Sequence, residues 1–168
     1  ILRTCECLGI QHLHIINPTD EFCSIRRLSR GAQAWIDLVM HPSLDAFFES
    51  IPHQGITLAG ATPHTTNTIK DVPVNQPLYL ILGNEAQGLS SKAKAHCDTL
   101  FQIPMHGMSE SLNLSAAAAI TLHDTCQRKR TLLGQPGDLS NNNKQQQRAR
   151  YFLNSVNNRL RINLLPVN

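Results

Sequence analysis

Residues 77–90 read PLYLILGNEAQGLS. The first seven, Pro77 to Gly83, form a continuous apolar run without a charge, the pattern of a strand covered on both faces inside a parallel sheet. Gly83 ends the run, a polar loop follows, and a helix is expected from about Ser90 to His96. Strand, glycine loop, helix is the repeating step of an α/β fold. Working outward, ITLAGA (residues 56–61) and Leu100 to Ile103 read as further short strands, as do QHLHII (residues 11–16) and a segment around Trp35 to Val39. Helices are expected over Ser24 to Arg30, ended by Gly31, and over Leu44 to Ile51, capped by Ser43. The chain opens inside a helix, residues 1–8, stopped by Gly9. The expected fold class is α/β: a largely parallel sheet flanked by helices.

Composition sets the outer bounds. A chain of 168 residues, 41% hydrophobic and 16% charged, is expected to bury one core and fold as an ordinary globule. It contains no apolar run of the roughly 18 residues that a bilayer span needs, and no signal segment opens it. A cytoplasmic protein with no membrane partner is expected. Five cysteines, an odd number without a C-x-x-C pair, read as reduced thiols. The eight histidines are scattered, so no metal site is expected. Net charge is only +3, but residues 128–161 carry eight Lys and Arg against the single acid Asp138. That asymmetry fits contact with phosphates and equally a solvated tail. Within it, residues 134–150 (GQPGDLSNNNKQQQRAR) are expected to be a polar linker or disordered. Residues 151–168 regain apolar positions and form a tail that could dock as a helix.

Two loops carry the chemistry. In residues 80–90, Gly83 and Gly88 imitate a P-loop, but Leu89 stands where the lysine belongs and Glu85 puts a carboxylate in the loop, so a triphosphate would be repelled. Such a loop at the carboxyl edge of a parallel sheet offers backbone groups and one carboxylate to a polar ligand, and favours a cation over a polyanion. The second loop, within IPMHGMSESLNLSAAAAITLHDTCQRKR (residues 103–130), leads into an alanine-rich helix. Ser111, Asn113 and Ser115 crowd the helix start, where unpaired N–H groups and the dipole favour polar ligands. Taken alone they also read as ordinary caps. Gly107 to Ser111 resembles a nucleophile elbow but lacks its last glycine, its incoming strand and an ordered Asp–His pair, so hydrolase chemistry by Ser109 is set aside.

Taken together, G-N-E-x-x-G-[LI] and, about twenty residues on, I-P-M-x-G-x-x-[EQ]-S-L-N-[VL]-S-x-A resemble motifs two and three of the SpoU (TrmH-like) RNA ribose methyltransferases, of the SPOUT superfamily. The opening ILRTCECLG resembles the end of the family's motif one, with Arg3 on the motif arginine; that motif's Asn would lie upstream of Ile1, so a preceding segment is expected. The resemblance runs from Ile1 to about Arg130. It implies a methyltransferase domain over residues 1–133 with a deep C-terminal trefoil knot, an exception to unknotted topology. It also implies S-adenosyl-L-methionine as cofactor, a ribose 2′-hydroxyl of tRNA or rRNA as acceptor, and a homodimer that completes the site across its interface.

By position in the motifs, Thr62, Gly83, Ile103, Met105 and Leu112 are the implied cofactor contacts, and Arg3, Glu85, Ser111 and Asn113 the implied catalytic group. The alternative is a non-catalytic RNA- or cofactor-binding protein of the same fold. Base methylation within the superfamily is disfavoured by the SLNLS sequence, and a purely structural dimer module leaves the polar loops unexplained.

Overall fold

The computed structural model describes residues 1–18 and 34–155. They fall into two compact units, one of Leu44–Pro136 together with Ile1, the other of Leu2–Ser43 with the residues from Gly137 on.

The first unit is built on three parallel strands, β3 (Thr57–Ala61), β4 (Leu78–Ile81) and β5 (Thr99–Phe101), in the order β4-β3-β5. The earlier strands, β1 (His12–Ile16) and β2 (Asp37–His41), belong to the second unit. Small residues let β3 occupy the centre. Ala59 is fully buried, and a Cβ on Gly60 would lie 2.7 Å from Cys97 Sγ and 2.9 Å from Leu89 Cδ1. Ala59, Ile69, Val72 and Phe101 form the core, with Ala61, Leu78 and Leu80 against it.

Three helices accompany these strands. The first, α2 (Leu44–Ser50), buries Phe47 and Phe48, and Phe48 stacks on His96 at 4.1 Å between ring centroids. Next, α3 (Ser91–His96) starts at Ser90, whose hydroxyl accepts from the Ala93 N–H at 3.1 Å, a standard N-cap. Last, α4 (Leu114–Leu133) turns Ala118, Thr121 and Thr125 inward and ends at Gly134 in the left-handed conformation. The strands and helices expected over this unit are found with shifts of one or two residues at their ends.

In the second unit, α1 (Leu2–Cys7) ends in a Schellman motif. Gly9 takes φ 75°, its N–H donates to Glu6 O, and the Ile10 N–H donates to Cys5 O, both at 2.9 Å. Strands β1 (His12–Ile16) and β2 (Asp37–His41) pair in parallel, His12 opposite Asp37 and Ile16 opposite His41. The strand expected at 35–39 thus begins two residues later.

The polar stretch after Gly134 corrects an expectation: instead of a linker throughout, it is helical from Asn141, as α5 (Asn141–Ser155). The cause is tertiary. The Tyr151 ring meets Trp35 edge to face at 6.5 Å, Tyr151 Oη donates to Gln11 O at 3.4 Å, and Gln147 and Arg150 both bond Asp37. These contacts hold a helix that intrinsic preference leaves undecided. The helix expected at residues 24–30 and the end of the tail, residues 156–168, lie outside the described residues.

Candidate active site

Parallel pairing aligns the ends of the three strands of the first unit. Gly60 faces Ile81, Ala61 faces Phe101, and the Thr62 N–H donates to Phe101 O at 2.9 Å. The loops that begin at Thr62, Gly83 and Ile103 therefore leave from one carboxyl edge, where open parallel sheets hold ligands.

The middle loop is closed on itself. A Cβ on Gly83 would lie 1.9 Å from the Gly88 carbonyl carbon and 2.2 Å from the Leu89 nitrogen, so two backbone stretches touch where only glycine fits. Asn84 organises the turn between them. Its Oδ1 accepts from the Ala86 N–H at 3.0 Å and the Gln87 N–H at 2.7 Å, while its carbonyl accepts from the Gly88 N–H at 2.9 Å. Gly88 takes φ 64° to close the loop, and Leu89 plugs into the core. Glu85 stands exposed on this frame. Sequence reasoning assigned Asn84 no role; its signal was an Asn at the head of a glycine-ended turn, the Asx-turn pattern.

The last loop, residues 103–113, presents Met105, Met108, Ser111, Leu112 and Asn113 at the surface. Met105 and Leu112 are 36% and 38% exposed, and Met108 stands wholly clear of the protein. Asn113 caps α4, its Oδ1 accepting from the Ser115 N–H at 2.8 Å, which leaves its amide nitrogen to donate elsewhere. Of the nine residues singled out in the sequence, eight thus sit in one unit. Thr62, Gly83 and Ile103 mark its shared edge, and Glu85, Met105, Ser111, Leu112 and Asn113 lie on the loops that spring from it. The ninth, Arg3, is an exposed residue of α1 in the other unit.

The chemistry of these loops is selective. Residues 83–90 and 103–113 contain no Lys or Arg but carry Glu85 and Glu110. Exposed thioether and Leu side chains beside backbone polar groups suit a flat apolar ring with a hydrogen-bonding rim. Carboxylates without balancing cations suit a positive charge and oppose a polyanion. Among the described residues no cluster of His, Cys, Asp or Glu is arranged to hold a metal ion.

A sequence model of the SpoU rRNA Methylase family matches residues 1–123. The chain belongs to that family. A tRNA (guanosine(18)-2′-O)-methyltransferase of Thermus thermophilus is 36% identical over 135 residues, covering 80% of this chain and 69% of the relative. The AviRb SpoU methyltransferase of Streptomyces viridochromogenes, solved with AdoMet, has a TM-score of 0.68 at 28% identity, over 78% of this chain and 55% of that one. The A. aeolicus TrmH/SpoU tRNA modifying enzyme shares the fold with a TM-score of 0.72 at 21% identity, over 93% of this chain and 81% of that one.

Proposed function

We propose that this chain is an S-adenosyl-L-methionine-dependent RNA methyltransferase acting on a ribose 2′-hydroxyl of tRNA or rRNA. The observation that carries the reading is the pairing of a closed, acidic glycine loop with the SLNLS loop at one carboxyl edge, in a chain of the SpoU family. Backbone groups at Thr62, Gly83 and Ile103, with the Met105 and Leu112 side chains, hold the cofactor. Bound there, the cofactor would supply an electrophilic methyl group for transfer to the ribose oxygen.

The protein's task is to make that hydroxyl reactive. A ribose hydroxyl near neutral pH is a poor nucleophile and must share its proton in the transition state. An Arg side chain, with pKa above about 12, is a scarce base but a good donor to a developing alkoxide. Arg3 accordingly positions the hydroxyl and stabilises its negative charge, with an RNA phosphate taking the proton. Ser111 and the free amide nitrogen of Asn113 hold the ribose, and Glu85, exposed on its loop, orients the bound groups by accepting hydrogen bonds from them.

Three further features belong to the same proposal. The methyltransferase domain runs to Leu133, at the end of α4. Its C-terminal part forms a deep trefoil knot, a reading supported by membership of the SpoU family and the fold shared with its solved members. The protein acts as a homodimer in the cytoplasm, with Arg3 serving a site completed across the interface. No helix among the described residues is long and apolar enough to cross a membrane.

The test maps ribose methylation by mass spectrometry in RNA from cells lacking the protein and regaining it. A 2′-O-methyl mark that disappears and returns is expected; unchanged marks everywhere would favour a non-catalytic role. Arg3→Ala is expected to abolish the mark while leaving cofactor affinity within about threefold of wild type, because a transition-state contact contributes little to ground-state binding. Lost cofactor binding in that variant would rule out a role for Arg3 confined to the transition state.

A further inference from the structure

Gln102, just past β5, is bonded three times to the crossover that leaves β3. Its N–H donates to Asn67 O and its carbonyl accepts from the Ile69 N–H, both at 2.9 Å, while its Nε2 donates to Thr65 O at 2.6 Å. A little further along the same crossover, Arg128 of α4 takes two carbonyls. Nη2 donates to Ile69 O and Nη1 to Val72 O, each at 2.8 Å. Its Nε donates to Asp124 Oδ1 at 2.7 Å, and the other oxygen of Asp124 bonds the Lys70 ammonium. All three guanidinium nitrogens are engaged, on a side chain only 27% exposed.

A surface ion pair one helical turn apart would explain the Asp124 contact and little else. It does not explain two backbone acceptors 56 and 59 residues distant in sequence. The carbonyls bind the guanidinium's planar fork in a way that an ammonium, a point charge, cannot reproduce. Thr68 and Asp71 rigidify what is gripped, since each caps the other's backbone in the short 3-10 turn Ile69–Asp71.

The consequence is a closed circuit. Loop 103–113 is tied to the crossover at its start through Gln102, and at its end through α4 and Arg128. From Asn113 to Arg128 the helix advances about 22 Å as a stiff rod. Where Arg128 grips therefore sets how far Asn113, Leu112 and Ser111 stand from Ile103. We infer that Arg128 is a positioning residue that fixes the span of loop 103–113 by clasping the β3–β4 crossover from the far end of α4. What the loop holds rests on the function proposed above; the tether itself does not.

The test compares wild type with Arg128→Gln, which cannot bridge both carbonyls, and Arg128→Lys, which keeps the charge and can reach one. Amide exchange over residues 105–112, cofactor affinity by calorimetry and methylation kinetics are measured at a temperature where far-UV circular dichroism shows each variant folded. A lost positional coupling is expected to weaken S-adenosyl-L-methionine binding and raise its KM by about tenfold in Arg128→Gln, with kcat at saturation within about threefold and Arg128→Lys intermediate. Exchange in 105–112 rises ahead of that in β3 and β5. Unchanged loop exchange and cofactor affinity, or exchange rising evenly through the unit, would overturn the inference; if Arg128→Gln does not fold, Arg128→Lys decides by the same criteria. A wild type that binds no cofactor, yet whose loop is loosened by the substitutions, would defeat the proposed function and leave the tether standing.

Discussion

At Gly83 a single methyl group decides whether the glycine loop exists. The atoms it would strike, the carbonyl of Gly88 and the nitrogen of Leu89, are backbone and cannot rotate aside. Gly83→Ala is expected to force the loop open, costing about 1–3 kcal/mol as overpacking does and removing cofactor binding. Gly88 makes the instructive contrast: space around it is open, but its φ of 64° is left-handed. Gly88→Ala should cost about 1–2 kcal/mol in backbone strain and keep measurable affinity. Urea denaturation and calorimetry on the two variants check this, and a Gly83→Ala protein that binds cofactor like wild type would refute the closed-loop account. Cys97, beside Gly60, is a packing group: burial, with Asp98 adding to it, pushes its thiol up to about 11, so it stays protonated at neutral pH.

Among the elements, α5 has the least support from its own sequence and depends most on a few contacts. Tyr151→Ala removes the edge-to-face contact with Trp35, the hydrogen bond to Gln11 and the ring under the Arg150 guanidinium. The change is expected to cost about 2 kcal/mol locally, below the roughly 3–5 kcal/mol for a fully buried aromatic because this ring is only partly covered. Amide exchange should accelerate across 141–155 while β3, β4 and β5 keep their protection; equal loosening of both regions would contradict this. The same helix shows where sequence reading ran short. The strands were legible because apolar runs of fixed length between turn residues have few other uses, and the loops at Gly83 and Ile103 because their residues are specific in combination. By contrast, α5 shows no apolar stripe. Its anchors Gln147, Arg150 and Tyr151 are polar-tipped and bond partners more than a hundred residues away, which hydropathy does not register. Arg128 registers in the sequence only as one of the basic residues of 128–161, for a related reason: its partners are backbone carbonyls, and a carbonyl has no letter in the sequence.

For the molecule as a whole, acid should act on the two units in turn. In the second unit the rings of His14 and His41 lie 2.8 Å apart, nitrogen to nitrogen, and burial first, then the His41 and His12 charges, hold His14 below its usual 6.5. A depressed histidine leaves the unfolded chain binding more protons, so its contribution is fully present above pH 6.5 and is lost as pH falls through the lower folded value. In the first unit burial opposes ionisation of Asp124, but Lys70 and Arg128 outweigh it and keep the carboxyl below 3.8. That contribution is present above 3.8 and is lost only as pH falls below it. Residue-resolved exchange between about pH 7.5 and 3 should therefore show β1 and β2 yielding before α4, and the reverse order would show that His14 does not govern the acid side. The strand order has a consequence in time as well as in space. Central β3 is synthesised before both its neighbours, and Phe101, opposite Ala61, emerges forty residues after it. At ordinary translation rates the nascent chain carries β3 with an unsatisfied edge for roughly 2–8 s. During that interval its run of small residues, Ala59 to Ala61, offers little for a stray strand to grip, so the composition that lets β3 sit at the centre also protects it while it waits.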